Sequence, residues 1–282
     1  MAENETGMRF MTRDAIKYLA IVAMTLDHIA YIFLEPALLA YGCAFLSALS
    51  PATLELLYRL FLCIGTFTGP VMIYFLIEGY FYTHDVRRYA KRLLLFALLS
   101  QLPFSLAIGG FFGNMLFTLL ICLGVLYVHD HVADGGQRKL LYVLLFFVSL
   151  FTDWNFLSVP LVLFLRPAFH PTPTVDHDAE QPQNTEADRM NVHAKAPRFY
   201  VNPAEQRRGM LKCVAYFIVV SCLTKGMLEG VTEALGMVLG FVCIAYFYNG
   251  QQAATHRKFH KYFFYIYYPA HLLVLWGIHA IL

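Results

Sequence analysis

The chain has 282 residues, 59% of them hydrophobic and only 14% charged, with a formal net charge of +2. Soluble domains carry about 25% charged residues, so the missing charge and the long apolar runs exclude a soluble globular protein. A net charge this small gives no footing for nucleic-acid binding.

A helix that crosses a bilayer needs about 20 mostly apolar residues. Nine stretches qualify or come close, at roughly 14–35, 56–83, 86–106, 114–129, 139–152, 155–167, 209–224, 228–248 and 259–281. The fifth and sixth are short, either half-helices or one re-entrant pair. The first lacks a small-x-small cleavage pattern and reads as an uncleaved helix. Gly69-Pro70 should kink the second, because proline removes a backbone donor. The expected fold is all-α, a single polytopic transmembrane helical bundle of about nine spans over residues 1–282.

Basic residues set the orientation. With the N-terminus inside, all of the 21 Lys and Arg except Arg59 and Lys225 fall on the cytoplasmic side. The stretch 166–208 then forms a polar cytoplasmic insertion, rich in proline (Pro171, Pro173, Pro182, Pro197, Pro203) and unable to bury a core. Its histidines, His170, His177 and His193, follow no ligand spacing, and the six cysteines show no C-x-x-C pattern. Neither a metal site nor a disulfide framework is expected. No internal repeat of the kind found in inverted-repeat transporters is visible.

The polar groups inside the apolar runs carry the chemistry. Asp27 and His28 sit within the first span, where an ionisable residue is expensive and normally faces a bundle interior or a watery cavity. Lys17 lies on nearly the same helical face as His28, about 16 Å away along the axis. It is a ligand or a snorkelling cation. Asp27 and His28 do not face each other on a helix, so any partner must come from another helix or a substrate. Glu78 lies about one turn inside the inner boundary, placed for an ion pair with Lys17 or Arg92 or for a role in the site. The run Arg87, Arg88, Lys91, Arg92 either retains the loop inside or holds phosphates at a cavity mouth. Ser100-Gln101-Leu102-Pro103 puts polar atoms and a kink into the third span. On the last span Lys261, Tyr265, Tyr268 and His271 share about a third of the circumference. His28 and His271 lie at similar depth, on the first and last spans, which suggests one site closed by the two ends of the bundle. Packing histidines are the plain alternative.

Several of these segments, taken in order, resemble the TraX family of membrane proteins. They are Lys17…Asp27-His28-Ile29, then Arg59…Phe75-Leu76-Ile77-Glu78-Gly79-Tyr80-Phe81, then Val86-Arg87-Arg88-Tyr89-Ala90-Lys91-Arg92-Leu93. Gln101-Leu102-Pro103-Phe104, Asn114-Met115-Leu116-Phe117-Thr118 and Tyr265-Ile266-Tyr267-Tyr268-Pro269-Ala270-His271-Leu272 complete the set. The resemblance covers most of the chain apart from 166–208 and the first ten residues. The family is named for the conjugative enzyme that N-acetylates pilin, and it is similar to membrane acyltransferases that O-acetylate cell-surface sugars. The resemblance implies a multi-pass protein of the bacterial inner membrane that moves acetyl from acetyl-CoA to an amine or hydroxyl acceptor. That acceptor is a pilin-like protein, a peptide or a glycan, and the insertion puts pilin itself in question.

Acyl transfer needs a deprotonated acceptor, a positioned carbonyl and a stabilised oxyanion. His28 is the candidate base. Asp27 would stabilise an imidazolium or hold an acceptor amine, and His271 or Tyr268 would donate to the oxyanion. Lys17, Arg88, Arg92 and Lys261 would bind the coenzyme phosphates, with Glu78 and Tyr265 in the same inner region. No Cys or Ser lies beside an obvious base, so direct transfer is favoured over an acyl-enzyme. The rival classes are a proton-coupled transporter using Asp27, His28 and His271 as a relay, and a non-catalytic scaffold.

Overall fold

The computed structural model describes residues 9–39, 46, 48–110, 112–172 and 199–282. It is a helical bundle whose only sheet, among the described residues, is a two-stranded antiparallel ribbon. Helix α1 (Arg13–Ile29) is capped by Thr12, whose Oγ1 accepts the Ala15 N–H at 3.3 Å. It runs into a π-helical turn, Ala30–Leu34, and a short helix α2 (Glu35–Leu38). Pro36 offers no N–H to the Ile32 carbonyl, and the chain widens ahead of it.

The expected second span is two helices, α3 (Pro51–Gly65) and α4 (Thr68–Tyr82). The break at Thr66-Phe67 lies just before Pro70, whose missing N–H would otherwise have met the Thr66 carbonyl. Helix α4 is apolar all round, and Val71, Ile73, Tyr74, Phe75, Leu76 and Ile77 are all buried. A helix of that pattern belongs in the middle, and α4 packs on α1 and on several later helices.

Helix α5 (Val86–Ile108) begins at the Asp85 cap and ends at Gly109, where φ of 73° needs a residue without a Cβ. Next come α6 (Met115–His131), also apolar all round, then α7 (Gly135–Ser149) and α8 (Asn155–Leu165). Strands β1 (Phe169–Pro171) and β2 (Phe199–Val201) pair before α9 (Pro203–Lys225), α10 (Met227–Val242) and α11 (Arg257–Ile281). Helix α11 packs along α5 and against α1, which brings the first and last helices together.

Each of the nine apolar stretches therefore coincides with helix. Among the described residues, five helical segments are long and apolar enough to cross a membrane: Arg13–Leu38, Pro51–Tyr82, Val86–Ile108, Met227–Phe247 and Lys258–Ile281. The outward faces agree. On α5, Leu94, Leu95, Leu98, Leu99 and Leu102 are exposed, as are Leu235 and Leu239 on α10 and Ile266 and Val274 on α11. Such stripes would be unfavourable in water and neutral in hydrocarbon.

The polar stretch 166–208 is not loose throughout. At its ends, Phe169 and Phe199 are 1% and 8% exposed and stack against Phe81 at 5.7 and 5.3 Å between ring centroids. Proline-rich composition hid two aromatic anchors, because burial depends on where the hairpin docks and not on local polarity. Residues 173–198, which carry His177 and His193, lie outside the described residues.

Candidate functional site

Among the described residues, a pair of neighbouring cavities lies inside the bundle. One, of about 350 Å³, is lined by Arg13, Lys17, Tyr89, Arg92 and Tyr265 and lies toward the end where α1, α5 and α11 begin. The other, of about 600 Å³, is lined by Asp27, His28, Asp153, Trp154, Lys225 and Glu233. It lies at the opposite end, among the C-terminal turns of α1, α5 and α9. We call them the basic and the acidic cavity. Met24, Thr68, Met115 and Tyr268 line both and form the wall between them.

Helix periodicity produces this arrangement. Arg13, Lys17, Met24 and His28 recur at helical spacing along one face of α1, so the same stripe runs from the basic cavity past the wall to the acidic one.

At the wall, His28 Nδ1 lies 2.7 Å from His271 Nε2, and both imidazoles are about 95% buried. His271 Nδ1 lies 2.9 Å from the Tyr267 carbonyl. A carbonyl only accepts, so His271 carries its proton on Nδ1 and presents a bare Nε2. His28 must then donate from Nδ1, which leaves its own Nε2 as a lone pair with no partner among the described residues. The pair is thus set, by one backbone oxygen, in the tautomer that leaves an acceptor nitrogen free on His28.

Tyr268 is the second group at the wall. Its Oη accepts the Met115 N–H at 3.3 Å, one of the unsatisfied donors at the start of α6. The phenolic proton stays available to a group in either cavity. The α6 terminus is held by polar side chains: Asn114 Nδ2 donates to the Ala97 carbonyl at 2.8 Å and to Gln101 Oε1 at 3.0 Å, while Asn114 Oδ1 caps Leu116 N–H at 3.0 Å.

In the basic cavity, Arg92 Nε donates to Tyr265 Oη at 3.2 Å and its guanidinium lies over the Tyr89 ring. Lys17 lies over the Phe75 and Phe264 rings at 5.9 and 5.3 Å. In the acidic cavity, Lys225 Nζ donates to both carboxylate oxygens of Glu233, at 2.8 and 2.9 Å. The carboxylates of Asp27 and Asp153 accept no hydrogen bond from a described residue. Burial in the turn before α8 pushes the Asp153 carboxyl up to about 6. Gly65 of α3 makes room for Asp27, since a Cβ there would overlap the carboxylate.

The structure thus gathers His28, His271 and Tyr268, keeps Asp27 beside them in the acidic cavity, and groups Lys17, Arg92 and Tyr265 in the basic one. Two expected residues lie elsewhere. Glu78 is 3% exposed and lines neither cavity: it accepts from Tyr248 Oη at 2.7 Å and sits 3.5 Å from Arg13. It supports Arg13 from behind. Arg88 points outward, 86% exposed, in a 2.9 Å pair with Asp85, because the residue that caps α5 also captures this side chain. The Lys261 side chain lies outside the described residues. Sequence reading missed Arg13, whose place on the Lys17–His28 stripe was the available signal. It also missed Asp153, an acid at the break between two apolar runs.

Fold and site define a helical membrane protein with two oppositely charged cavities on either side of one wall, and a buried histidine pair beside it. A family model described as "TraX protein" matches residues 12–172 and 189–279, and the chain belongs to the TraX family. The internal segment that this match leaves out is 173–188. A protein named "Probable fimbrial assembly protein FimC" from Dichelobacter nodosus is 30% identical over 162 residues, 53% of this chain and 59% of that one. The chain thus spans about 59% of the length of that curated relative. No solved structure matches.

Proposed function

We propose that this protein is an acetyltransferase that moves acetyl from acetyl-CoA to an acceptor by direct transfer, with His28 as general base. The observation that carries the reading is the meeting of two cavities at a wall where a tautomer-set imidazole and a phenol stand together. TraX membership and a relative named for fimbrial assembly support a pilin-related acceptor.

The basic cavity suits the donor. Arg13, Lys17 and Arg92 offer three cations, and the buried Nε of Arg13 has no partner among the described residues. Its volume of about 350 Å³ is enough for an acetyl thioester and part of its arm, with the nucleotide phosphates at the mouth near Arg13 and Arg92. The bias of basic residues supports a mouth on the cytoplasmic face, where acetyl-CoA is made. With the thioester at the wall, Tyr268 O–H donates to the developing oxyanion and His28 Nε2 takes the acceptor proton. His271 is a positioning residue: it holds the tautomer of His28 and shares the imidazolium charge.

Two cavities at opposite ends also favour a proton-coupled transporter in which the wall is a gate. Labelled acetyl-CoA separates the two readings. Purified protein should bind it and yield labelled acceptor and free thiol. Absence of both binding and thiol release would remove the enzyme reading.

A further inference from the structure

We propose that Glu78 is a positioning residue for the acetyl donor: from behind the basic cavity it holds the guanidinium of Arg13 where a donor phosphate meets it, and so makes the site select thioesters that carry phosphate. The proposal rests on the acetyl-transfer reading and adds what selects the donor.

The pair is anchored from both sides. Glu78 sits in the central helix α4 and is 3% exposed. Tyr248 Oη donates to its Oε2 at 2.7 Å and holds the carboxylate in place. Arg13 is the first residue of α1, and its backbone N–H donates to the Gln251 carbonyl at 2.8 Å. Asp14 accepts the Ala253 N–H on Oδ2, also at 2.8 Å. The same loop contributes Gln252 to the lining of the basic cavity. Carboxylate and backbone are thus fixed, and the freedom that remains is in the Arg13 side chain.

That side chain is incompletely bonded. Arg13 Nη1 lies 3.5 Å from Glu78 Oε1, close enough for attraction but too far for a hydrogen bond of full strength. Glu78 Oε1 and Arg13 Nε are both buried with no hydrogen-bond partner among the described residues. Charged groups in that state are costly. An arginine that only tied α1 to α4 would close the pair. Arg13 stops instead between the carboxylate and the cavity that it lines. Lys17 and Arg92 line the same cavity and repel it, and Glu78 supplies the opposing attraction. A guanidinium has five N–H groups, so one edge can face Glu78 while another meets a phosphate after a short side-chain movement.

Charge and position predict opposite signs. Glu78 is an anion near a site for a polyanion, so by charge alone its removal should tighten donor binding. By position, its removal lets Lys17 and Arg92 push Arg13 toward solvent at the helix end, and binding weakens. Position should win, because the charge of Glu78 is already largely offset by Arg13, whereas a charge-assisted bond to phosphate is lost outright.

The test titrates the intact purified protein with acetyl-CoA and with acetylpantetheine, which carries the thioester and no phosphate. Wild type should bind acetyl-CoA more tightly than acetylpantetheine. Glu78→Gln keeps the side-chain size and an acceptor for Tyr248. It should weaken acetyl-CoA binding about tenfold and leave acetylpantetheine binding and kcat at saturating donor unchanged. In an Arg13→Ala background the same change should cost nothing further. Tyr248→Phe loosens the carboxylate and should shift acetyl-CoA binding the same way by less; it decides the matter where Glu78→Gln does not fold. Tighter or unchanged acetyl-CoA binding in the folded variant overturns the proposal, as does equal weakening for both donors or full additivity with Arg13→Ala. Acetyl transfer itself survives each of those results. Wild-type protein that binds neither donor overturns the acetyl-transfer reading and this proposal together.

Discussion

Replacing His28 by alanine removes the one ring nitrogen in the histidine pair that is left free by the Tyr267 carbonyl. A positioned general base contributes about 10²–10⁴-fold in rate, or about 2.7–5.4 kcal/mol of barrier at 1.36 kcal/mol per tenfold. The same change costs stability for a separate reason: His271 Nε2 loses the donor 2.7 Å away and stays buried, which costs about 1–3 kcal/mol. The two effects separate experimentally. Acetyl transfer per folded molecule should fall by about 10²–10⁴-fold, while acetyl-CoA affinity stays near wild type because His28 lines only the acidic cavity. The assay is thiol release and product labelling, normalised to the folded fraction measured by thermal unfolding. A folded His28→Ala protein within tenfold of wild-type turnover, merely less stable, would show that the imidazole only packs helices.

Four further outcomes follow from the same geometry. His271→Phe keeps an aromatic ring but removes the acceptor that holds His28 in its tautomer, so kcat should fall at least tenfold with the acetyl-CoA KM unchanged; His271→Gln, which keeps an acceptor, should recover part of the loss, and equal activity of both variants would refute the orienting role. Arg13→Ala and Arg92→Ala should each weaken acetyl-CoA binding by about 10–100-fold, given about 1.5–3 kcal/mol for a hydrogen bond to a charged group, whereas Arg88→Ala should leave it unchanged; calorimetric titration distinguishes them. Gly65→Ala forces the Asp27 carboxylate aside and should raise the acceptor KM without touching acetyl-CoA binding. The Asp153 carboxyl, raised to about 6 by burial, is charged above that pH and neutral below it. With Asp27, Glu233, Lys225, His28, Tyr31 and Tyr268 as the other titratable groups of that cavity, the acceptor KM should rise as pH falls through 6, and Asp153→Asn should flatten that part of the profile.

The helices were legible because apolar runs in a chain with so few charges leave little choice: backbone polar groups must be satisfied internally, and helix is the local way to do it. The Gly69-Pro70 break was legible for the same local reason. His28 and His271 stood out because ionisable groups are rare in such runs. Arg88 shows where this stops. On sequence it is one of four cations in a cluster, and only the rotamer set by its pair with Asp85 removes it from the cavity. Glu78 likewise reads as a member of the site until Tyr248, 170 positions away, is seen to hold its carboxylate.

The family signature, the helical class and the candidate histidines are thus properties of the sequence by itself, since hydropathy and residue chemistry are local. The separation into a basic and an acidic cavity, the wall shared by Met24, Thr68, Met115 and Tyr268, and the tautomer of His28 were decided by tertiary structure alone. Each depends on contacts between helices distant in sequence, above all α1 against α11. A one-turn shift of either helix would keep every motif and abolish the 2.7 Å contact on which the proposed chemistry turns.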